Sequence, residues 1–299
     1  MTLPAQPGIL QPVPIAGRHL FFTLSPLIQP AQARTTLAAF APLVDGDTAI
    51  AGLGSQLVQS LQQTVPGLRE FPALTVAGSG VPIPSSQAAL WVWLRGTDRG
   101  DFVQTTRRME NALAPAFTLE TVTDVFRYGT GRDLTGYEDG TANPVGDDAI
   151  AAALVQGIGQ GFDGSSFAAV QQWLHDFNAF ENLSPAARDD AIGRRLRDNE
   201  EFESAPASAH VKRTAQENFE PEAFVLRRSM PWAHDKQAGL LFLAFGKSLD
   251  AFEAQLRRMA GLDDGVVDAL FGFSRPVTGS YFWCPPMRAG KLDLSTLGL

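Results

Sequence analysis

The chain has 299 residues, with 24 Lys plus Arg against 32 Asp plus Glu, a formal charge of -8 and a pI near 5.0. That balance argues against a basic phosphate-binding surface, so neither nucleic acid nor an anionic membrane is an expected partner. No apolar run approaches the roughly 20 residues of a membrane span, and the single cysteine, Cys284, excludes an internal disulfide and a zinc ribbon.

Met1 to Ile15 is rich in Pro and Gln and lacks a basic stretch followed by an apolar one, so it does not read as a secretory signal and a cytoplasmic protein is expected. In chain order, period-2 and period-3.6 patterns alternate. Arg18 to Leu24 is β-rich, Ala31 to Leu43 helical, and Thr48 to Leu53 a short strand ended by Gly54. Gln56 to Gln63 supplies a helical turn or two before a Pro- and Gly-rich connector from Pro66 to Pro84. Ala88 to Arg95 is a strand, Asp98 to Ala114 a helix and Thr118 to Tyr128 a strand. The resulting order, βαββαβ, is that of a ferredoxin-like unit.

A glycine-rich polar stretch from Gly129 to Asp148 interrupts the pattern, after which the second half begins again. Gly161 to Leu174 contains a strand or helix, Ala186 to Arg197 is helical, and Ala223 to Met230 is a strand. Gly239 to Phe245 is almost wholly apolar and is expected to be buried on both faces. Ser248 to Met259 is an amphipathic helix and Gly279 to Trp283 the last strand. The two halves look like a repeat of one α+β unit.

Several chemistries lack their motifs. There is no GxSxG elbow, no HExxH and no GxxxxGK[ST], and the Gly157, Gly159, Gly161 cluster does not complete a dinucleotide fingerprint. The four histidines, His19, His175, His210 and His234, include no pair at metal-ligand spacing on a helix. A bound metal would therefore need a cofactor that supplies most of its own ligands. His19 reads as a packed strand residue, His175 as a helix or loop face, and His234 as an exposed turn.

The densest unusual stretch runs from Gly136 through Tyr137, Glu138, Asp139, Gly140, Thr141, Ala142 and Asn143 to Pro144. Alone it reads as a surface turn, because Gly, Asp, Asn and Pro are turn residues. It is followed by Ala209-His210-Val211-Lys212-Arg213-Thr214 and by Arg227-Arg228-Ser229-Met230-Pro231. Together these ordered stretches resemble the dye-decolourising peroxidase family, whose GxxDG loop is met by Gly136, Asp139 and Gly140. The order of loop Asp, His and R-x-S, with PVTGSYFWCPP from Pro276 to Pro286, resembles the cytoplasmic B-type (P-type) branch.

The resemblance implies a haem b peroxidase of α+β architecture, two ferredoxin-like halves, residues 1–135 and 136–299, forming a dimeric α+β barrel of antiparallel sheets with helices packed outside, and with the haem held mainly by the second half. It would reduce hydrogen peroxide through a ferryl intermediate and oxidise dyes, phenols or other organic donors. His210 would be the iron ligand, backed by a carboxylate, with Asp268 preferred over Asp264. On the opposite, distal side Asp139 would move a proton and Arg227 supply a fixed charge, with Ser229 placing a water between them. The R-x-S spacing would turn Arg227 inward and Arg228 to the other face. A carboxylate base, ordinarily titrating near about 4, would favour acidic conditions. Asn143 and Arg213 would contact the haem edge and propionates, and Tyr137, Trp232 and Tyr281 are either electron relays or core. The alternatives are an enzyme that removes iron from haem and a non-catalytic haem carrier. The resemblance also implies a homo-oligomer, whereas Lys291 to Leu299 lacks the long linker expected of a tail directed to an encapsulating shell.

Overall fold

A computed structural model describes residues 3–299. Its first half runs β1 (Ala16–Leu24), α1 (Pro30–Phe40), β2 (Ala49–Leu53), α2 (Ser55–Ser60), the short pair β3 (Leu74–Thr75) and β4 (Pro82–Ile83), β5 (Leu90–Gly96), α3 (Arg99–Leu113) and β6 (Phe117–Phe126). The second runs α4 (Gly146–Ala153), β7 (Ser166–His175), α5 (Phe177–Glu181), α6 (Pro185–Ile192), α7 (His210–Arg213), β8 (Leu226–Arg227), β9 (Met230–His234) and β10 (Gln237–Gly246). It ends with α8 (Asp250–Met259), β11 (Ser274–Pro276), β12 (Ser280–Cys284) and the pair β13 (Met287–Arg288) and β14 (Lys291–Leu292).

Local chemistry sets several boundaries. Asp98 caps α3 by accepting from the amides of Gly100 and Asp101, which satisfies donors that a helix start leaves unpaired. Ser184 caps α6, Pro185 opens it and Gly193, left-handed at φ 90°, stops it. That stop corrects the helix expected over Ala186 to Arg197. Beyond Gly193 the chain turns back, and Arg194 pairs with Glu201 as an isolated bridge.

The strand pairings place β6-β1-β5-β2 side by side in the first half and β9-β10-β7-β12 in the second. Numbered within each half, both orders are 4-1-3-2, read from opposite ends, as a ferredoxin-like unit requires. Single residue pairs, Val125 with Trp232 and Leu53 with Trp283, join the two half-sheets edge to edge and close an eight-stranded ring. The expected α+β architecture of two ferredoxin-like halves is thus the observed one. Gly161 to Leu174 resolves into strand β7, while the strand expected over Ala223 to Met230 splits into β8 and β9. β8 pairs with β10 at Ala244 and Phe245, whereas β9 pairs from Leu241 to Gln237.

Alternation along the strands divides the core in two. Leu20, Phe22, Leu90, Val92 and Leu94 pack outward with Leu37 and Phe40 of α1 and Phe102 and Leu113 of α3. Trp91, Trp93, Leu243, Phe245 and Phe282 form the inward cluster. His19 stacks between Trp91 and Trp93, accepts from the Trp91 indole at 3.0 Å, and is pushed down to about 3 by burial. It is a neutral core residue. Phe242 and Leu240 of β10 are only half-buried, unlike the inward residues of the same strand, because the outer face of β10 borders a cavity.

Gly239 shows how closely β10 lies against β7: a Cβ there would overlap the carbonyl oxygen of Trp173. Gly239→Ala is expected to cost about 2 kcal/mol, in the range of overpacked cores, measured as a shift in the urea unfolding midpoint at unchanged slope.

Candidate active site

The long connection from β6 to α4 carries Asp139 and Asn143. Gly140 holds φ 74°, and a Cβ there would press on the Asn143 side chain at 2.9 Å, so the turn after Asp139 demands glycine. The carboxylate of Asp139 accepts from the Gly140 amide at 2.7 Å and meets Arg227 Nη1 at 3.3 Å. Both side chains are about four-fifths buried. Arg228 turns away and donates to the backbone oxygens of Ile9, Leu10 and Arg227.

Asn143 takes a part different from the one expected of it. Its Oδ1 accepts from the Arg227 amide at 2.7 Å and its Nδ2 donates to the Arg227 carbonyl at 3.0 Å. Asn143 is therefore a backbone clamp that holds β8 to the Asp139 loop, and both of its amide groups are occupied. Gln216 adds a second tie by donating to Ala142 O and accepting from Val225 N. Ser229 accepts from Leu243 N at 3.3 Å; it does not line the cavity of His210 but lines the adjoining one together with Asp139 and Arg227.

His210 opens α7. Its Nδ1 donates to Asp268 Oδ2 at 2.8 Å, and Asp268, fully buried, accepts from Leu270 N through its other oxygen. Nε2 has no partner among the described residues. Asp264 is not the carboxylate behind His210, because it forms a two-pronged ion pair with Arg213 at 2.7 and 2.8 Å. Arg213 is buried and also donates to Arg258 O, while its Nε has no partner among the described residues.

His210, Asp139 and Arg227 line one cavity of ≈ 110 Å³. Trp173, Phe242, Leu256 and Met259 give it apolar walls. One buried amide nitrogen on the wall, Nε2 of Gln171, lacks a partner. An apolar slot with one free imidazole nitrogen and one unpaired amide donor fits a haem, whose macrocycle is apolar, whose iron takes an axial ligand and whose substituents accept hydrogen bonds. Of the aromatic residues considered as relays, Tyr137, Trp232 and Tyr281 are all buried. Tyr137 lines the cavity and donates to Asp189 at 2.5 Å, Trp232 donates to Trp173 O, and burial raises the Tyr281 hydroxyl far above its ordinary value.

A further constellation on the wall was missed from the sequence. His175 ends β7 as a buried strand residue, with Nε2 donating to Asp133 Oδ2 at 3.0 Å and Nδ1 2.7 Å from the Ser274 hydroxyl. The helix or loop face expected for it is corrected accordingly, and His234, expected in a turn, is an exposed residue ending β9. Gln171, Trp173 and His175 sit two apart, the period of a strand. Reading that alternation would have put all three on one wall. Asp133 also accepts from Thr135 N and Oγ1. Burial raises its carboxyl, but hydrogen bonds from His175 and Thr135 outweigh this and hold it below the ordinary range. A depressed folded-state value means stability fully present above about 4 and lost as pH falls through the lower, folded value. Asp133→Ala is expected to cost about 2–3 kcal/mol near neutrality, by leaving His175 and Thr135 donors unpaired. The gap to wild type should narrow on acidification when both are melted across a pH series.

The family model described as Dyp-type peroxidase, C-terminal, matches residues 130–289. A dye-decolorizing peroxidase of Rhodococcus erythropolis is 28% identical over 300 residues, covering 95% of this chain and 88% of its own. A variant of DypB from Rhodococcus jostii RHA1, solved in complex with haem, superposes with a TM-score of 0.85 at 26% identity, covering 95% of this chain and 97% of the other. The encapsulated DyP-type peroxidase from Mycobacterium smegmatis superposes with a TM-score of 0.82 at 25% identity, covering 93% and 94%. The matched segment contains Asp139, His210, Arg227 and Asp268 and spans more than half of the sequence, so the chain belongs to the Dyp-type peroxidase family.

Proposed function

We propose that this haem-dependent peroxidase works through His210, backed by Asp268, which would hold the haem, and through Asp139 and Arg227, which would act on peroxide. The observation that carries the assignment is that a carboxylate-backed imidazole and an acid–cation pair line the same cavity. Haem b, bound there, supplies the iron at which peroxide is reduced and through which donor electrons pass. Dyes, phenols and other organic donors are the proposed reductants. Each peroxide takes up two electrons and two protons to give two waters, and two donor molecules each lose one electron.

The residues divide the work. Nε2 of His210 would hold the metal, and Asp268, accepting from Nδ1–H, keeps the ring in the required tautomer and raises its basicity. Asp139 as a carboxylate accepts the proton of the near peroxide oxygen and returns it to the outer one, so that water leaves in place of hydroxide. The Arg227 guanidinium stabilises the negative charge that develops on the departing oxygen. Asn143 sets the height of Arg227 by gripping its backbone. A carrier has no use for such an acid–cation pair, which favours the peroxidase over haem transport or iron removal.

The division at residues 135 and 136 belongs to the same proposal, with His210, Arg227 and Asp268 all in the second half. No helix among the described residues is long and apolar enough to cross a membrane, and we place the protein in the cytoplasm. We also propose a homo-oligomer. Lys291 to Leu299 reads as part of the fold and not as a shell-directed tail, since Leu292, Leu294 and Leu297 are buried and Arg34 donates to Leu297 O.

Absorption spectra before and after one equivalent of peroxide test the assignment. His210→Ala should lose the Soret band of the stoichiometric complex. Asp268→Asn should retain haem but lose about 10–100-fold in activity. Arg227→Leu with Asp139→Asn should bind haem normally and slow the reaction with peroxide by about 10² or more. Asn143→Ala should slow the same step about tenfold, the scale on which small misplacements cost rate. Release of iron-free porphyrin, in place of peroxide turnover, would select the iron-removal reading.

A further inference from the structure

The chain has three tyrosines, Tyr128, Tyr137 and Tyr281, and of these Tyr137 alone lines the cavity of His210. It stands two residues before Asp139 in the same loop, buried, with its ring edge-on to that of Phe180 at 6.5 Å between centroids. Its hydroxyl donates to Asp189 Oδ1 at 2.5 Å, and the same oxygen accepts from Leu196 N at 3.0 Å. Burial first, then the bond to Asp189, raises the Tyr137 hydroxyl well above its ordinary value, so the phenol keeps its proton at rest. Asp189 itself, in α6, is only half-buried.

A buried phenol needs an acceptor, and a backbone carbonyl would satisfy it. A carboxylate in short contact does more, because it can take the proton outright. A phenol that loses an electron becomes a strong acid, and in a dry site its oxidation requires a base already within hydrogen-bond reach. The reaction supplies the occasion. Each peroxide removes two electrons while organic donors return them singly, so one oxidising equivalent has to wait between donors. Trp173, the other oxidisable ring on this wall, has for its indole N–H only the Gln171 amide oxygen at 3.4 Å, and an amide does not take up a proton.

Resting on the peroxidase reading above, we propose that Tyr137 is a redox residue of this site, with Asp189 as its proton acceptor, and that the pair stores one oxidising equivalent until the second donor arrives. Tyr137 gives one electron to the haem that peroxide has oxidised. Its O–H bond breaks and the proton passes to Asp189 Oδ1, which leaves a neutral phenoxyl radical beside a neutral carboxylic acid. An organic donor then supplies one electron, Asp189 returns the proton and the O–H bond re-forms. Peroxide is the oxidant, the donor is the reductant, and the pair ends the cycle unchanged.

Freeze-quench EPR on the haem-loaded enzyme, after one equivalent of peroxide and with no donor, should show an organic radical whose hyperfine pattern changes when the tyrosines carry ring deuterium. Tyr137→Phe should bind haem stoichiometrically and lose that signal, whereas Tyr281→Phe should keep it. Asp189→Asn retains an acceptor but no base, and should slow radical formation about 10²-fold. A second arm needs no peroxide: in a Tyr128→Phe background, photogenerated tris(bipyridine)ruthenium(III) should oxidise Tyr137 of the resting holoprotein, more slowly in D2O and with the same dependence on Asp189. A radical unchanged in Tyr137→Phe, a rate indifferent to Asp189→Asn, or no tyrosyl radical in either arm would overturn the proposal. A tyrosyl radical at Tyr137 in the ruthenium arm, from a protein that leaves peroxide unreduced, would support the redox pair and instead strike the peroxidase reading.

Discussion

Two single residue pairs, Val125 with Trp232 and Leu53 with Trp283, turn two open sheets into a ring. An open four-stranded sheet leaves two edges unpaired, and closure disposes of four at once. It also fixes what each face of the second sheet can do. The inner face of β10 is committed to the packed interior, with Leu241, Leu243 and Phe245. The outer face of β7 and β10 is left to be covered by helices, and α8 covers it incompletely. The cavity is the space between that sheet and the helices, with Phe242 from the strand and Leu256 from α8 on its walls.

The site is assembled from segments distant in sequence, and buried polar pairings decide which residues face it. Asp264 and Asp268 lie four positions apart, yet one is joined to Arg213 and the other to His210. Asn143 looks like a ligand contact until both of its amide atoms are found on the Arg227 backbone. In each case a side chain that chemistry would allow at the cofactor is already satisfied within the protein, and a satisfied group has little to gain from a second partner.

The half-sheets were legible because strands such as Ala88 to Arg95 and Gly239 to Phe245 carry strong apolar signals, and because the βαββαβ order admits few topologies. The GxxDG loop, His210 and Arg227 were legible as ordered motifs. Apart from the pairing of His210 with Asp268, what could not be read was set by a partner far along the chain. Arg213 meets Asp264 across 51 positions and His175 meets Asp133 across 42. No local pattern announces either. Ala186 to Arg197 failed for a nearer reason: Gly193 takes up a left-handed conformation inside an otherwise helical composition.

The two ends of the chain are exchanged between the halves. Ile9 belongs to the ring interior, Arg228 holds the Ile9 and Leu10 carbonyls, and Gln6 is tied to both Ala51 and Pro285. Leu294 and Leu297 sit in the core beneath α1, whose Arg34 grips the Leu297 carbonyl. During synthesis the first half therefore has its strands and helices long before it has the residues that complete its core. Its sheet edges wait for β9 and β12, and part of its apolar surface stays uncovered until positions near 297 have been made, which gives chaperones a longer interval to act than two self-contained domains would need. The same exchange couples the halves in unfolding, so neither can open without uncovering part of the other.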